Sequence, residues 1–419
     1  MGRSRSGRVF HGWWVVAAAF AITFVGFGSA YTFSAFVAPL QAEFGASRGS
    51  VALVFSFAGF LYFALGSVSG PLSDRLGSRA LAVAGMLLLG LGLALAARAR
   101  TLTGVYAAYA LGVGLGVGCA YVPAIGAVQR WFVRRRGYAS GIAVSGIGVG
   151  TLLMPPCASA LIGAFGWRGA YLGLAAVAVL LGGGLSLLIE NDPRRRGLAP
   201  DGDPPHPQPA PPDGIPVRAA LATGRFAGLY AACLCASFGV FVPFVHLVPY
   251  AQDRGVAPAR AALLISVIGV GSTAGRFLLG GLADRVGRER FLVAMYAAMA
   301  LALASWALAG QFWTLAAFAL AFGVCYGGWV AVLPAVVMDY FGGRHVSSLI
   351  GILYSSVAFG TLLGPSAAGF MFDVSHSYTL PIVASVGANL LAAAVAALAV
   401  RHRPRPAPEL AAAAPGGED

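Results

Sequence analysis

Twelve apolar segments run the length of the chain, at approximately 12–40, 49–71, 80–97, 101–128, 138–163, 168–189, 226–250, 259–283, 291–310, 312–340, 345–370 and 377–400. A bilayer core about 30 Å thick is crossed by about 20 apolar residues in a helix, and most of these segments exceed the roughly 18 that mark a span. Charged residues occupy only 10% of the 419 positions and hydrophobic ones 58%, whereas an ordinary soluble domain carries about 25% charged residues. The chain is therefore expected to fold as an all-α polytopic membrane protein with twelve transmembrane helices in the lipid bilayer, not as a soluble enzyme. The first segment is longer than a signal-peptide core, and no clear small-residue cleavage site follows a short one, so it is expected to stay as a span.

All 28 basic residues are Arg, and the formal net charge is +13. A nucleic-acid binder gathers its basic residues on one face of a water-soluble fold. Here they stand singly or in short clusters between apolar runs, so no nucleic-acid partner is expected. With the N-terminus in the cytoplasm, 21 Arg fall on the cytoplasmic side and 6 outside. The positive-inside rule then puts both termini in the cytoplasm, and the expected location is the cell (inner) membrane. The remaining one is Arg276, inside the eighth segment.

Between the sixth and seventh segments, residues 190–224 hold nine Pro, several Asp and the run Arg194-Arg195-Arg196. Such a stretch buries too little apolar surface to fold and is expected to be a flexible cytoplasmic linker. It separates six-helix bundles at 1–189 and 225–400, and a Pro- and Ala-rich tail at 401–419 is expected to be disordered. The halves repeat each other. Gly70-Pro-Leu-Ser-Asp74-Arg75-Leu-Gly77-Ser-Arg79 matches Gly280-Gly-Leu-Ala-Asp284-Arg285-Val-Gly287-Arg288 at an offset of 210, and Gly150-Thr-Leu-Leu with Pro155 matches Gly360-Thr-Leu-Leu with Pro365 at the same offset. Equivalent positions on the same side make the repeats parallel, related by an axis along the membrane normal. Cys119, Cys157, Cys233, Cys235 and Cys325 all lie inside apolar segments, where buried packing is expected rather than a disulfide framework or a metal site. Gly26, Gly28, Gly112, Gly114, Gly116 and Gly118 are read as close-packing positions.

On these motifs the chain resembles the major facilitator superfamily over nearly its whole length, the carrying signal being the twice-repeated loop Gly-x-Leu-(Ala/Ser)-Asp-Arg-x-Gly. The resemblance implies two pseudo-symmetric six-helix bundles and a cytoplasmic conformational latch formed by Asp74, Arg75, Arg79, Asp284, Arg285 and Arg288. Further stretches resemble the monocarboxylate transporter and oxalate:formate antiporter branch. These are His11-Gly-Trp-Trp14, Tyr31-Thr-Phe-Ser34, Val242-Pro-Phe-Val-His246-Leu-Val-Pro-Tyr250 and Gly275-Arg276. The chain departs from that branch in carrying Ser272 where relatives often have an Asp four residues before the Arg, and in having no Lys.

Arg276 precedes Asp284 by eight residues, which places it roughly 12 Å into the core, near its middle. Even a lenient insertion scale charges about 2.5 to 3.5 kcal/mol for such a cation. Its planar fork of donors matches a carboxylate and stays charged at physiological pH. Asp339 and Asp373 fall near helix ends, so an anionic substrate is the expected counter-ion. Tyr121, Trp329 and Tyr354 lie about 15 Å from a helix end; their polar groups are expected to orient a carboxylate while the rings enclose its carbon chain. Ser145 shares that depth and is read as a packing residue. Tyr31, in the outer part of its segment, joins the substrate-binding set by resemblance. His246, between Pro243 and Pro249 near the outer mouth, is the proton-coupling candidate.

The expectation is a secondary active transporter of small organic anions, most of all monocarboxylates. It would work as a monomer by alternating access, coupled to protons, with no cofactor or metal and no enzymatic activity. No nucleotide-binding loop is present, since the Gly112–Gly118 run follows no strand. An exporter of drugs or other small solutes is the alternative, but it calls for a membrane-embedded acid. A transporter-like sensor is a further alternative, though the chain carries no sizeable added domain.

Overall fold

The computed structural model describes residues 10–132, 136–191, 193–202, 215–342 and 346–401. Its spans are α1 (His11–Phe44), α2 (Arg48–Gly70), α3 (Ser78–Ala97), α4 (Leu102–Trp131), α7 (Gly224–Asp253), α8 (Pro258–Val286), α9 (Arg288–Leu308), α10 (Phe312–Phe341), α11 (Val346–Ser375) and α12 (Thr379–Arg401). Between α4 and α7, one apolar stretch, Tyr138–Ser186, holds two more. Gly166 breaks it at φ 69° and ψ 172°, a left-handed φ that glycine reaches without a Cβ penalty. A Cβ on Gly173 would stand 3.1 Å from Leu161, residues that in one straight helix lie about 18 Å apart. The chain therefore turns back at Gly166, giving α5 (138–165) and α6 (167–186) and a total of twelve spans among the described residues.

Six spans on either side of the connector form two bundles that repeat each other in detail. In the first, α1 packs along α5, where the position of a Cβ on Gly150 is taken up by the Phe24 carbonyl and the backbone of Gly28. In the second, α7 packs along α11, and Gly360, 210 residues on, meets Ser237 in the same way. Small residues are what allow two membrane helices this close. Both leading helices also break at equivalent depth, α1 into a tight turn at Thr32–Phe36 and α7 at Phe241. In the connector, Pro193–Arg196 forms a single turn and Val217–Leu221 a short helix. The Ile215 N–H donates to the Phe341 carbonyl at 3.2 Å. Residues 203–214 and the tail from 402 lie outside the described residues.

The halves meet most extensively along α2 against α11 and α5 against α8. On the face away from the termini the joint is polar. Arg48 of α2 forms a two-pronged ion pair with Asp253 of α7, 2.6 Å on each prong, and the Arg48 and Gly49 N–H groups both donate to Asp373 of α11 at 2.9 Å. Deeper in, Ser366 donates to Ser56 at 2.8 Å. Of the cysteines, Cys233 is buried, Cys119, Cys235 and Cys325 are half-buried, and Cys157 is exposed. This corrects the expectation of burial for Cys157. In a span whose surroundings are hydrocarbon, an exposed thiol carries little penalty.

Candidate functional site

A cavity lies between the halves, lined from α1, α2, α4, α5, α7, α8, α10 and α11. Arg276 is the one charged side chain among its described lining residues. The helix under it is fixed by two Gly-x-x-x-Gly runs facing each other. A Cβ on Gly271 would lie 2.5 Å from the Leu320 carbonyl, and one on Gly275 would run into the Val324 carbonyl. From α10, Gly323 and Gly327 approach the Ile268 and Ser272 carbonyls equally closely. On its other side α8 meets α5 of the opposite half, where a Cβ on Gly269 would lie 2.8 Å from the Leu152 nitrogen. Arg276 directly follows Gly275, the last of these contacts on α8, and reaches the cavity from there.

One guanidinium nitrogen, Nη1, donates to the Val144 carbonyl of α5 at 3.1 Å. The Nε group is buried with no partner. A buried N–H left unpaired costs about 1 to 3 kcal/mol, more on a charged group. The acids that sequence depth had excluded are indeed elsewhere. Asp339 pairs with Arg288 at 2.8 Å and Asp373 caps α2. Ser272, where relatives often have Asp, is buried and its hydroxyl has no partner.

Tyr121, Trp329, Tyr354 and Tyr31 all line the same cavity. Tyr31 and Tyr326 close its far end with their hydroxyls 3.3 Å apart, and Phe244 stacks on Tyr31 at 4.6 Å. Tyr31 stands directly before the tight turn of α1 and Phe244 just after the break of α7, so both helix breaks serve this roof. Tyr121 packs edge-on to Phe27 at 5.1 Å and Tyr354 to Phe63 at 6.1 Å. Phe27 and Phe63 carry no mark in the sequence that separates them from lipid-facing aromatics. For Tyr326 a signal existed in its place between Gly323 and Gly327, which fixes the face of α10 turned to α8.

Trp329 differs from expectation. Its indole N–H donates to Tyr296 of α9 at 3.0 Å, so only the ring's apolar surface faces the cavity. Trp329→Phe is accordingly expected to leave ligand affinity unchanged. Tyr296→Phe, which strands the buried indole N–H, should cost about 1 to 3 kcal/mol of stability, read as a lower melting temperature of the purified protein. Ser145 hydrogen-bonds back to Ile142 at 2.7 Å and does not line the cavity. His246 is fully buried nearer the far face, outside the lining, with Nδ1 at 3.1 Å from the Tyr378 hydroxyl and Nε2 at 2.8 Å from the Pro365 carbonyl.

At the opposite face, Arg79 donates to the Ile189 carbonyl and to Glu190, each at 2.7 Å, both within its own half. Arg288 reaches Asp339 within the other half, while Arg75 and Arg285 are exposed. The side chains of Asp74 and Asp284 lie outside the described residues.

The chain matches the sequence profile of the Major Facilitator Superfamily over residues 18–309 and 227–418. It is 31% identical over 386 residues to monocarboxylate transporter 11 of Homo sapiens, covering 89% of this chain and 80% of that protein. To monocarboxylate transporter 13 of Rattus norvegicus it is 30% identical over 397 residues, covering 93% and 89%. Among solved structures it resembles a bacterial homologue of the human lysosomal transporter Spinster in an inward-facing, unoccupied conformation. The TM-score is 0.74 at 18% identity, covering 94% of this chain and 98% of that one. At that identity the likeness is one of fold.

Proposed function

This chain belongs to the major facilitator superfamily of transporters, and from that premise we propose that it carries small organic anions, above all monocarboxylates, by alternating access around the Arg276 cavity. The observation that carries the reading is a single cation with an unpaired buried N–H in an otherwise aromatic and aliphatic chamber. A carboxylate supplies the missing charge and accepts two parallel hydrogen bonds from the fork. The hydroxyls of Tyr121 and Tyr354 have no partner among the described residues and are placed to take up its remaining lone pairs. Tyr31 and the Trp329 ring bound the carbon chain. Lacking a second cation, the cavity favours one carboxylate over two.

The sealed face is the one away from the termini, so this is the conformation that loads from the termini side. The Arg distribution supports reading that side as the cytoplasm, and we place the chain in the inner membrane, acting as a monomer. Protons accompany the anion, with His246 as the coupling group, and the Asp74–Arg79 and Asp284–Arg288 loops form the latch of the opposite conformation. A thermal-shift series on purified protein tests the substrate class. A ligand at a hundredfold its Kd adds about 2.7 kcal/mol of stability. Short monocarboxylates should raise the melting temperature, and their amides should not. Stabilisation by a cationic dye or a neutral solute, with none by carboxylates, would sink the reading.

A further inference from the structure

On the sealed face one hydrogen-bond chain crosses from one half to the other. Arg48 Nη1 donates to the Tyr378 hydroxyl at 3.0 Å, and that hydroxyl lies 3.1 Å from His246 Nδ1. The direction of the chain is fixed at its far end. Nε2 faces the Pro365 carbonyl at 2.8 Å, and a carbonyl only accepts. Nε2 therefore carries the hydrogen, Nδ1 is the acceptor of a neutral imidazole, and the Tyr378 O–H donates to it. Pro365 is one turn before Gly369, whose Cβ would stand 2.6 Å from Gly49 Cα in the α2–α11 seam. His246 thus leans on both structures by which one half holds α2 of the other.

We propose that this seal is a proton-operated gate, in which the protonation of His246 decides whether Tyr378 keeps hold of Arg48. The inference rests on the alternating-access reading and not on which acid is carried. A proton arriving at Nδ1 turns that atom from acceptor to donor. The Tyr378 hydroxyl then loses the acceptor for its own hydrogen, and its oxygen stands between two cations, the imidazolium and the Arg48 guanidinium. In a site with little water their repulsion is weakly screened.

The ionisable groups around the device are few. Asp253 of α7 and Asp373 of α11 hold Arg48 and the start of α2. Tyr250 of α7 donates to the Trp306 and Ala309 carbonyls and lies under Arg254, 3.6 Å from guanidinium carbon to ring centre. His376 in the α11–α12 turn and Arg260 of α8 are exposed. Glu43 of α1 is paired with Arg168 at 2.9 Å. Asp253 and Asp373 lie on the same half as His246 and bind only the Arg48 end of the chain, so charging the imidazole acts directly on the cross-half link.

The test is a distance measurement by pulsed electron paramagnetic resonance. Spin labels are attached at Thr103→Cys and Gly310→Cys, exposed positions of the two halves on this face, in the full-length chain with its native cysteines replaced. Lowering the pH from about 7.5 to about 5.5 brackets the ordinary titration of histidine. The ratio of long to short distances should rise about tenfold or more, the change that one pKa unit of coupling produces. His246→Gln keeps a donor and an acceptor but cannot charge, and should stay at the short distance at both pH values. Tyr378→Phe breaks the link and should lose the pH response, whereas Arg48→Gln should favour the long distance throughout. An acid response surviving in His246→Gln, or wild-type distances unmoved by pH while Arg48→Gln opens, overturns the proposal. The distances report the gate whether or not carboxylates prove to be the cargo.

Discussion

Arg276→Gln is expected to abolish carboxylate uptake in proteoliposomes while leaving the fold intact. Gln preserves a donor for the Val144 carbonyl and removes the charge and the fork. Truncating one partner of a desolvated charge pair costs about 2 to 5 kcal/mol, roughly 30-fold to several-thousand-fold in transport efficiency. Stability should move the other way. The substitution removes a guanidinium near mid-membrane, for which insertion charges about 2.5 to 3.5 kcal/mol, and with it the unpaired Nε group. The melting temperature in the absence of substrate should therefore hold or rise. Arg276→Lys keeps a point charge without the planar fork, so intermediate uptake is expected. Full uptake by Arg276→Gln would remove the central claim.

The second large effect concerns the seam that aims Arg276. Gly275→Val sets a branched side chain against the Val324 carbonyl, and Gly327→Val does the same against the Ser272 carbonyl. Neither neighbour is a flexible side chain that can swing away, so α8 and α10 must separate. Overpacking costs typically about 1 to 3 kcal/mol, and more where backbone must shift. Low yields of folded protein, early melting and loss of uptake together are expected. Gly141→Ala and Gly126→Ala, with nothing within 4 Å of the new Cβ, are the matched controls and should behave as wild type. Equal damage from the controls would mean that loss of glycine anywhere in a span suffices.

How much of this was legible in the sequence depends on which property is asked about. Span number and duplication follow from hydropathy and from motifs 210 residues apart, because bilayer thickness dictates length and the repeat leaves its own copy. The depth of Arg276 was legible for the same reason: helical rise converts residue number into ångströms. Facing was not. Depth brought Tyr121, Trp329 and Tyr354 to the right level, and all three line the cavity, yet nothing in one dimension shows that the Trp329 N–H turns to Tyr296. His246 illustrates the limit from the other side. Its level near the outer mouth was readable, but its partners, Tyr378 and Pro365, come from 132 and 119 residues away. No local spacing rule connects such positions.

The turn at Gly166 has a mechanical consequence. With the reversal made around a single residue, α5 and α6 have no slack between them. Their shared end is also tied to α1, through Arg168 to Glu43 at 2.9 Å and through Trp167 beside Phe44. A stiff hairpin anchored at its tip transmits rotation as a lever does, so a tilt of α5 against α8 must carry α6 and the end of α1 with it. Lengthening this turn with a few flexible residues would leave each helix in place at rest while letting one move without the others. Slow exchange between conformations, at unchanged equilibrium affinity, is the signature to look for in such an insertion.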